Sequence, residues 1–264
     1  MRSAEDLARL ALAVNEAQFA LGNESFEADG GRFIRNRDTP DIRDANHVAY
    51  VTAAAPAGID RLLERVDLEY AHAPARAYHC DFTTPPAFEA RLTLENFTMR
   101  SNLVSVLEGE LIGEAAPFEI RAVEHEDDWR QFEGLHALDW KETRERLGQE
   151  EVADAGVRMA RTRRLKCPPS RYYLGLIDGA PRGYFSTLPG VDGMAQVEDL
   201  FVDPAHRHRG LASALIHHCV RKCREAGAGP IVIVADPTDT PKHMYAAMGF
   251  RPVAIKRDYW KVPG

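Results

Sequence analysis

Residues 197–213, VEDLFVDPAHRHRGLAS, form the most informative stretch of the chain. A strand-like run ends at Pro204 and feeds a helix through a basic turn that contains one glycine. Gly210 lets backbone approach a ligand closely, and Ala212 does so nearly as well. The first amides of a helix have no partner inside it, so the helix that follows offers donors suited to an anion. Arg207 and Arg209 add positive charge beside that terminus. These residue types at this spacing describe a phosphate site; the competing reading is a basic helix start on a solvated surface.

The hexapeptide Arg207-His208-Arg209-Gly210-Leu211-Ala212 resembles the Arg/Gln-x-x-Gly-x-Gly/Ala signature of the GNAT acetyltransferases, where that family wraps the pyrophosphate of CoA. The preceding Leu200-Phe201-Val202-Asp203-Pro204 resembles the family's cofactor-facing strand. Met244-Tyr245-Ala246-Ala247-Met248-Gly249-Phe250 resembles its Leu-Tyr-x-x-x-Gly-Phe segment, so three segments stand in the family's order. The resemblance implies acetyl-CoA as co-substrate. Along Leu200, Phe201 and Val202, backbone groups of Leu200 and Val202 would pair with the pantetheine amides as an added strand does. Amides of His208, Arg209, Gly210, Leu211, Ala212 and Ser213, with Arg207, would hold the pyrophosphate. Thr238 stands where many members carry a CoA-contacting asparagine, and a hydroxyl replaces one hydrogen bond but not the bidentate amide.

Acyl transfer to an amine needs a deprotonated nucleophile, a polarised thioester carbonyl and a proton for the leaving thiolate. The resemblance puts Tyr245 in the position of the general acid; the alternative is a core tyrosine between Met244 and Met248. Glu198 is the candidate general base, acting through water. It is a carboxylate two residues before Leu200 on the same strand face, which turns Asp199 to the opposite face. The alternative for Glu198 is a surface carboxylate, with Asp236 as the reserve base.

The elements that must position these groups follow from periodicity and turn residues. In the second half, a strand from Phe118 to Val123 precedes a helical region of about 126–166. Strands at 172–177, 182–188 and 194–202 are joined by Asp178-Gly179 and Asp192-Gly193, the signals of an antiparallel meander. Helix 210–226, strand 231–235, helix 241–248 and strand 251–261 complete it. The fold class is α/β (α+β), a mixed antiparallel and parallel sheet, and ligands are expected near 198–213, where the pairing changes. The first half reads as an opening helix over 4–21, an irregular stretch with Gly30-Gly31, and then β-α-β-α-β from His47 to Leu107.

Residues 80–97 parallel residues 235–250 with a two-residue length difference: strand, Asp, Thr-Pro turn, short helix, then Phe opening a strand. The first half therefore resembles a degenerate, partial GNAT module in a tandem arrangement, divided as 1–115 and 116–264. Leu92 falls where Tyr245 sits, and the first copy has no phosphate loop. Two unrelated α/β units with similar turns would be the other reading.

The chain has 264 residues, 45% hydrophobic and 28% charged, with 33 Lys+Arg against 40 Asp+Glu and a net charge of −7. That size suits two domains. No basic run would track bulk nucleic acid or an anionic membrane, and no segment has the ~20 apolar residues of a membrane span. The four cysteines, Cys80, Cys167, Cys219 and Cys223, are scattered, which fits a reducing, cytoplasmic setting. Cys219 and Cys223 are expected as packing residues on a helix, and the nearby histidines lack the spacing of a zinc site, so no metal is expected. The expected activity is N-acetyl transfer to a primary amine of a small molecule or peptide, by a monomer or homodimer. The alternative is a non-catalytic acyl-CoA-binding or regulatory module.

Overall fold

A computed structural model of the chain describes residues 2–146, 148 and 154–263. The part of the expected helical region that falls on 147 and 149–153 lies outside the described residues. Helix α1 (Ala4–Ala20) opens on a capping box: the Ser3 side chain accepts from the Asp6 amide, and the Asp6 carboxylate accepts from the Ser3 amide. Strands β1 (Glu24–Ala28) and β2 (Gly31–Arg35) form a hairpin across Asp29-Gly30, both with positive φ, which matches the right-handed twist of the paired strands. The sequence reading left this stretch without bounds. There follow β3 (His47–Ala49), α2 (Pro56–Glu69), β4 (Arg76–Cys80), α3 (Pro86–Leu94) and β5 (Thr98–Leu107). The second half contributes β6 (Glu119–Ala122), α4 (Glu126–Arg146), α5 (Ala155–Leu165), β7 (Arg171–Ile177), β8 (Ala180–Val191) and β9 (Met194–Val202). It ends with α6 (Leu211–Glu225), β10 (Ile231–Ala235), α7 (Pro241–Ala247) and β11 (Arg251–Lys261). No helix among the described residues is long and apolar enough to cross a membrane.

Two compact units interleave along the chain. The first gathers Met1–Ser105, Val234–Met244 and Arg251–Gly264, and the second Val106–Ile233 and Tyr245–Phe250. β11 supplies a sheet strand to the first unit from the far end of the sequence.

In the first unit the strands run β1-β2-β3-β4-β11-β5. β3 and β4 are parallel, and β4 pairs antiparallel with β11, Tyr78 opposite Tyr259. Phe33, Leu62, Val66, Tyr70, Tyr78, Phe88 and Leu92 fill its core, all but excluded from water.

In the second unit the order is β10-β9-β8-β7-β6. β6 to β9 form an antiparallel meander, whose turns Asp178-Gly179 and Asp192-Gly193 again have positive φ. β9 and β10 are parallel, so the expected change of pairing falls between them. Trp129, Phe132, Tyr172, Leu174, Tyr184 and Phe201 pack in the core between the meander and α4 and α5. On the other side, Leu211 of α6 reaches so close to β7 that a side chain at Gly175 would meet its Cδ1 at 2.7 Å.

The internal repeat holds at the level of single hydrogen bonds. Asp81 Oδ1 accepts from the Thr83 amide and hydroxyl at 2.6 Å each, and Asp236 Oδ1 accepts from those of Thr238 at 2.8 and 2.6 Å. After the short helix a left-handed residue follows in both copies, Asn96 at φ 60° and Gly249 at φ 104°. The Phe97 amide then donates to the Leu92 carbonyl at 3.0 Å, as that of Phe250 does to Tyr245 at 3.1 Å. Leu92 and Tyr245 are thus equivalent positions.

Candidate functional site

The register between β9 and β10 spans only Ala195↔Ile231 and Gln196↔Val232. Beyond Gln196, β9 continues to Val202 without a further β10 partner in that register among the described residues, which leaves an open wedge along one edge of β9. On its other edge β9 stays paired: Phe201 lies opposite Tyr184, and the Asp203 amide donates to the Arg182 carbonyl at 2.8 Å. By the alternation of an antiparallel ladder, the backbone groups of Leu200 and Val202 face the wedge. Val202 brings only its amide there, because its carbonyl accepts from Arg207 Nε at 3.0 Å. The ring of Phe201 is turned into the core, 5.6 Å from that of Tyr184. The geometry thus puts Leu200 and Val202 on the open edge and Phe201 in packing.

A bulge reorients the carboxylates at the start of this edge. From Ser186↔Glu198 to Tyr184↔Phe201, β8 advances two residues and β9 three, and Asp199 takes φ 61°. Strand alternation therefore fails, and the expectation that Asp199 faces away from Glu198 is corrected. Asp199 accepts from the Tyr172 hydroxyl at 2.5 Å and pairs with Arg163 at 3.2 Å. Glu198, half-buried, accepts from the Gln196 amide. Both carboxylates feel Arg163 and Lys166.

Their protonation is driven apart. Burial first, and then the neighbouring charge of Asp199, pushes the Glu198 carboxyl up to about 7 against the pull of Gln196, Arg163 and Lys166. Burial also acts upward on Asp199, but Arg163 and Lys166 outweigh it and hold Asp199 below the ordinary carboxylate range. Two neighbouring carboxyls separated in this way can divide their roles, one exchanging a proton near neutrality and the other staying ionised. On α4, burial raises Asp139 to about 6 although it accepts from the Tyr184 hydroxyl at 2.6 Å. Burial lowers His136 to about 4, so its imidazole is neutral. Trp129 lies in the core. Asp139, Arg163 and Tyr172 were not singled out in the sequence, because they reach this place from separate segments.

Past the wedge, a short 3-10 turn (Pro204–His206) leads into α6. His208 at φ 60° and Gly210 at φ 91° are both left-handed, so successive amides curl into a concave turn. Among the described residues, the amides of His208, Arg209, Gly210, Leu211, Ala212 and Ser213 donate no hydrogen bond; the first helical bond runs from Ala214 to the Gly210 carbonyl. Leu211 is buried, its side chain packed toward Gly175 of β7. Arg207 is clamped bidentately by Glu142 at 2.7 and 2.5 Å, a partner the sequence reading missed. Arg209 is exposed and makes no ion pair among the described residues.

Tyr245 on α7 counts with the second unit and is 7% exposed, its ring 6.1 Å from that of Phe250. Thr238 and Asp236 count with the first unit, where Asp236 also pairs with Arg100 at 3.1 Å. Three concavities of the second unit, about 860, 690 and 560 Å³, contain none of the expected site residues. An open strand edge is a groove rather than a cavity, so volume does not mark it.

Residues 129–250 match the model of the acetyltransferase (GNAT) family. No curated protein matches the chain. Among solved structures, a GCN5-related N-acetyltransferase from Kribbella flavida superposes with a TM-score of 0.71 at 15% identity, covering 97% of this chain and 96% of that one. A functionally unknown conserved protein from Staphylococcus epidermidis gives 0.69 at 13% identity, over 92% and 96% of the two chains. A tandem GNAT protein from the clavulanic acid biosynthesis pathway gives 0.58 at 15% identity, over 82% and 74%.

Proposed function

Residues 129–250 match the model of the acetyltransferase (GNAT) family, and from that premise we propose that the protein transfers an acetyl group from acetyl-CoA to a primary amine. The observation that carries this reading is the wedge beside β9, which runs from a carboxyl near neutrality at Glu198 to a turn of unpartnered amides at His208–Ser213. The fit to the cofactor rests on that turn: its amides curl around a concavity, and a side chain at Gly210 would be strained at φ 91°. Arg209 adds charge there, whereas Arg207 is held by Glu142 and fixes the turn to α4. Bound acetyl-CoA would supply the activated thioester.

The amides of Leu200 and Val202 would take the pantetheine arm as an added strand. Glu198, ionised above about pH 7, would accept the proton of the amine directly or through water, and Asp199 beside it would favour a cationic acceptor. Tyr245 would give its hydroxyl proton to the leaving thiolate. In the first unit, with Leu92 where the second has Tyr245, the same step has no acid. The acceptor we propose is a small molecule or a peptide amine.

Thermal unfolding with and without acetyl-CoA, in the presence of a panel of amines with free CoA followed in the same samples, tests the reading. The wild-type protein should melt higher with acetyl-CoA, and at least one amine should speed CoA release. Gly210→Glu, which combines backbone strain with a negative charge in the turn, should lose the shift. A normal shift in that variant removes the turn from cofactor binding. A shift without release for any amine favours the non-catalytic acyl-CoA-binding module.

A further inference from the structure

Inside the first unit, away from every residue discussed for acyl transfer, Glu16 of α1, His47 of β3 and His79 of β4 meet. Glu16 Oε1 lies 2.6 Å from His47 Nε2, and its two carboxylate oxygens lie 3.2 and 3.1 Å from His79 Nδ1. The imidazoles stack at 3.7 Å. One ligand atom from each of the three residues falls within 4.8 Å of the others, and all three residues are buried, His47 completely. Two imidazoles and a carboxylate are a donor set suited to a zinc-type ion.

A further observation points to a cation. His47 Nδ1 and Asp258 Oδ1 are buried polar atoms without a hydrogen-bond partner, and the latter stands 3.7 Å behind His79 Nε2. A carboxylate behind the far nitrogen of an imidazole is the usual support of a metal-bound histidine. Lys256 Nζ stands 3.5 Å from Asp258 Oδ1 and 4.0 Å from Glu16 Oε2, beside the cluster.

We propose that Glu16, His47 and His79 bind a divalent transition cation of the zinc type. A cavity of about 10 Å³ bordered by Glu16, Tyr50, His79 and Lys256 adjoins two of the three ligands, Glu16 and His79, with room for roughly one water as a fourth ligand. With metal–ligand bonds of about 2.1 Å, tetrahedral ligands stand about 3.4 Å apart, so the ion opens the Glu16–His47 contact by less than about 1 Å. It would tie α1 to β3 and β4 and so stabilise the first unit, whatever the second unit catalyses.

The test is titration of the chelator-treated full chain with Co(II), followed by visible absorption and by melting temperature. One equivalent should raise the d–d bands of a four- or five-coordinate site, zinc should bleach them, and the melting temperature should rise with the metal. Glu16→Gln and His79→Asn should lose both signals, and His217→Asn, on α6 of the second unit, should keep them. If a cluster variant does not fold, the wild-type spectrum still decides. No band at one equivalent overturns the proposal, and so does a band that survives in His79→Asn. Metal-independent stabilisation on acidification with no metal uptake would also overturn it, because a proton alone would then balance the cluster.

Discussion

Replacing Asp199 by Asn should move the acidic limb of the pH–rate profile. If Glu198 takes the proton of the acceptor amine, turnover falls as pH drops through its value of about 7. The ionised fraction is about 0.91 at pH 8 and about 0.09 at pH 6, a tenfold loss. Part of that elevation comes from the charge of Asp199, while burial is the larger part. Two neighbouring unit charges at an effective dielectric constant of about 20 repel by on the order of 2 kcal/mol, which is between about 1 and 2 pH units. Burial remains in the variant, so the limb should shift down by about 1 pH unit, leaving the protein active at pH 6. Asparagine can still accept from the Tyr172 hydroxyl, now at 2.5 Å from Asp199, so the bulge should persist. The assay is kcat/KM for CoA release between pH 5 and 9, run beside Glu198→Gln, which should lose the limb. A limb that stays near pH 7 in Asp199→Asn, or that survives in Glu198→Gln, assigns the titration to another group and ends the case for Glu198 as base.

Tyr245→Phe keeps the ring against Phe250 and removes only the hydroxyl, so kcat should fall by about 10²-fold while affinity for acetyl-CoA is retained; turnover equal to wild type in steady-state kinetics would take Tyr245 out of the reaction. Asp139 holds its proton more tightly folded than unfolded, at about 6 against an ordinary 3.8. Its favourable contribution is therefore complete below about pH 4 and is lost as pH rises through 6, by up to about 3 kcal/mol and less insofar as water reaches the carboxyl. Asp139→Asn, still able to accept from Tyr184, should raise the melting temperature at pH 8 and leave it nearly unchanged at pH 4; equal effects at the two pH values in thermal melts would contradict the sign.

The parts of this protein that depend on neighbours in the chain were legible from the sequence alone. Asp-Gly turns, the strand leading into a Gly-containing helix start, and the Asp-Thr-Pro repeat at 81–86 and 236–241 are local patterns, because φ preferences and side-chain-to-backbone bonds act over a few residues. The repeat even predicted that Leu92 and Tyr245 are equivalent. The hairpin at 24–35 was less visible, since its strands alternate around charged residues and neither is long.

Other features were decided only by tertiary structure. Strand periodicity assumes an unbroken pleat, so it placed Glu198 and Asp199 on opposite faces; the bulge that defeats it appears only when β9 is registered against β8. Nothing local to Arg207 announces that Glu142, 65 residues earlier, holds it. Nor could spacing reveal Glu16, His47 and His79, which lie on three elements and converge only because α1 packs where β3 and β4 lie side by side. The association of β11 with the first unit is likewise long-range. In each case burial and desolvation, which set the charges and the partners, are properties of the assembled core; a stretch of chain fixes which groups are available, and packing alone fixes which of them meet.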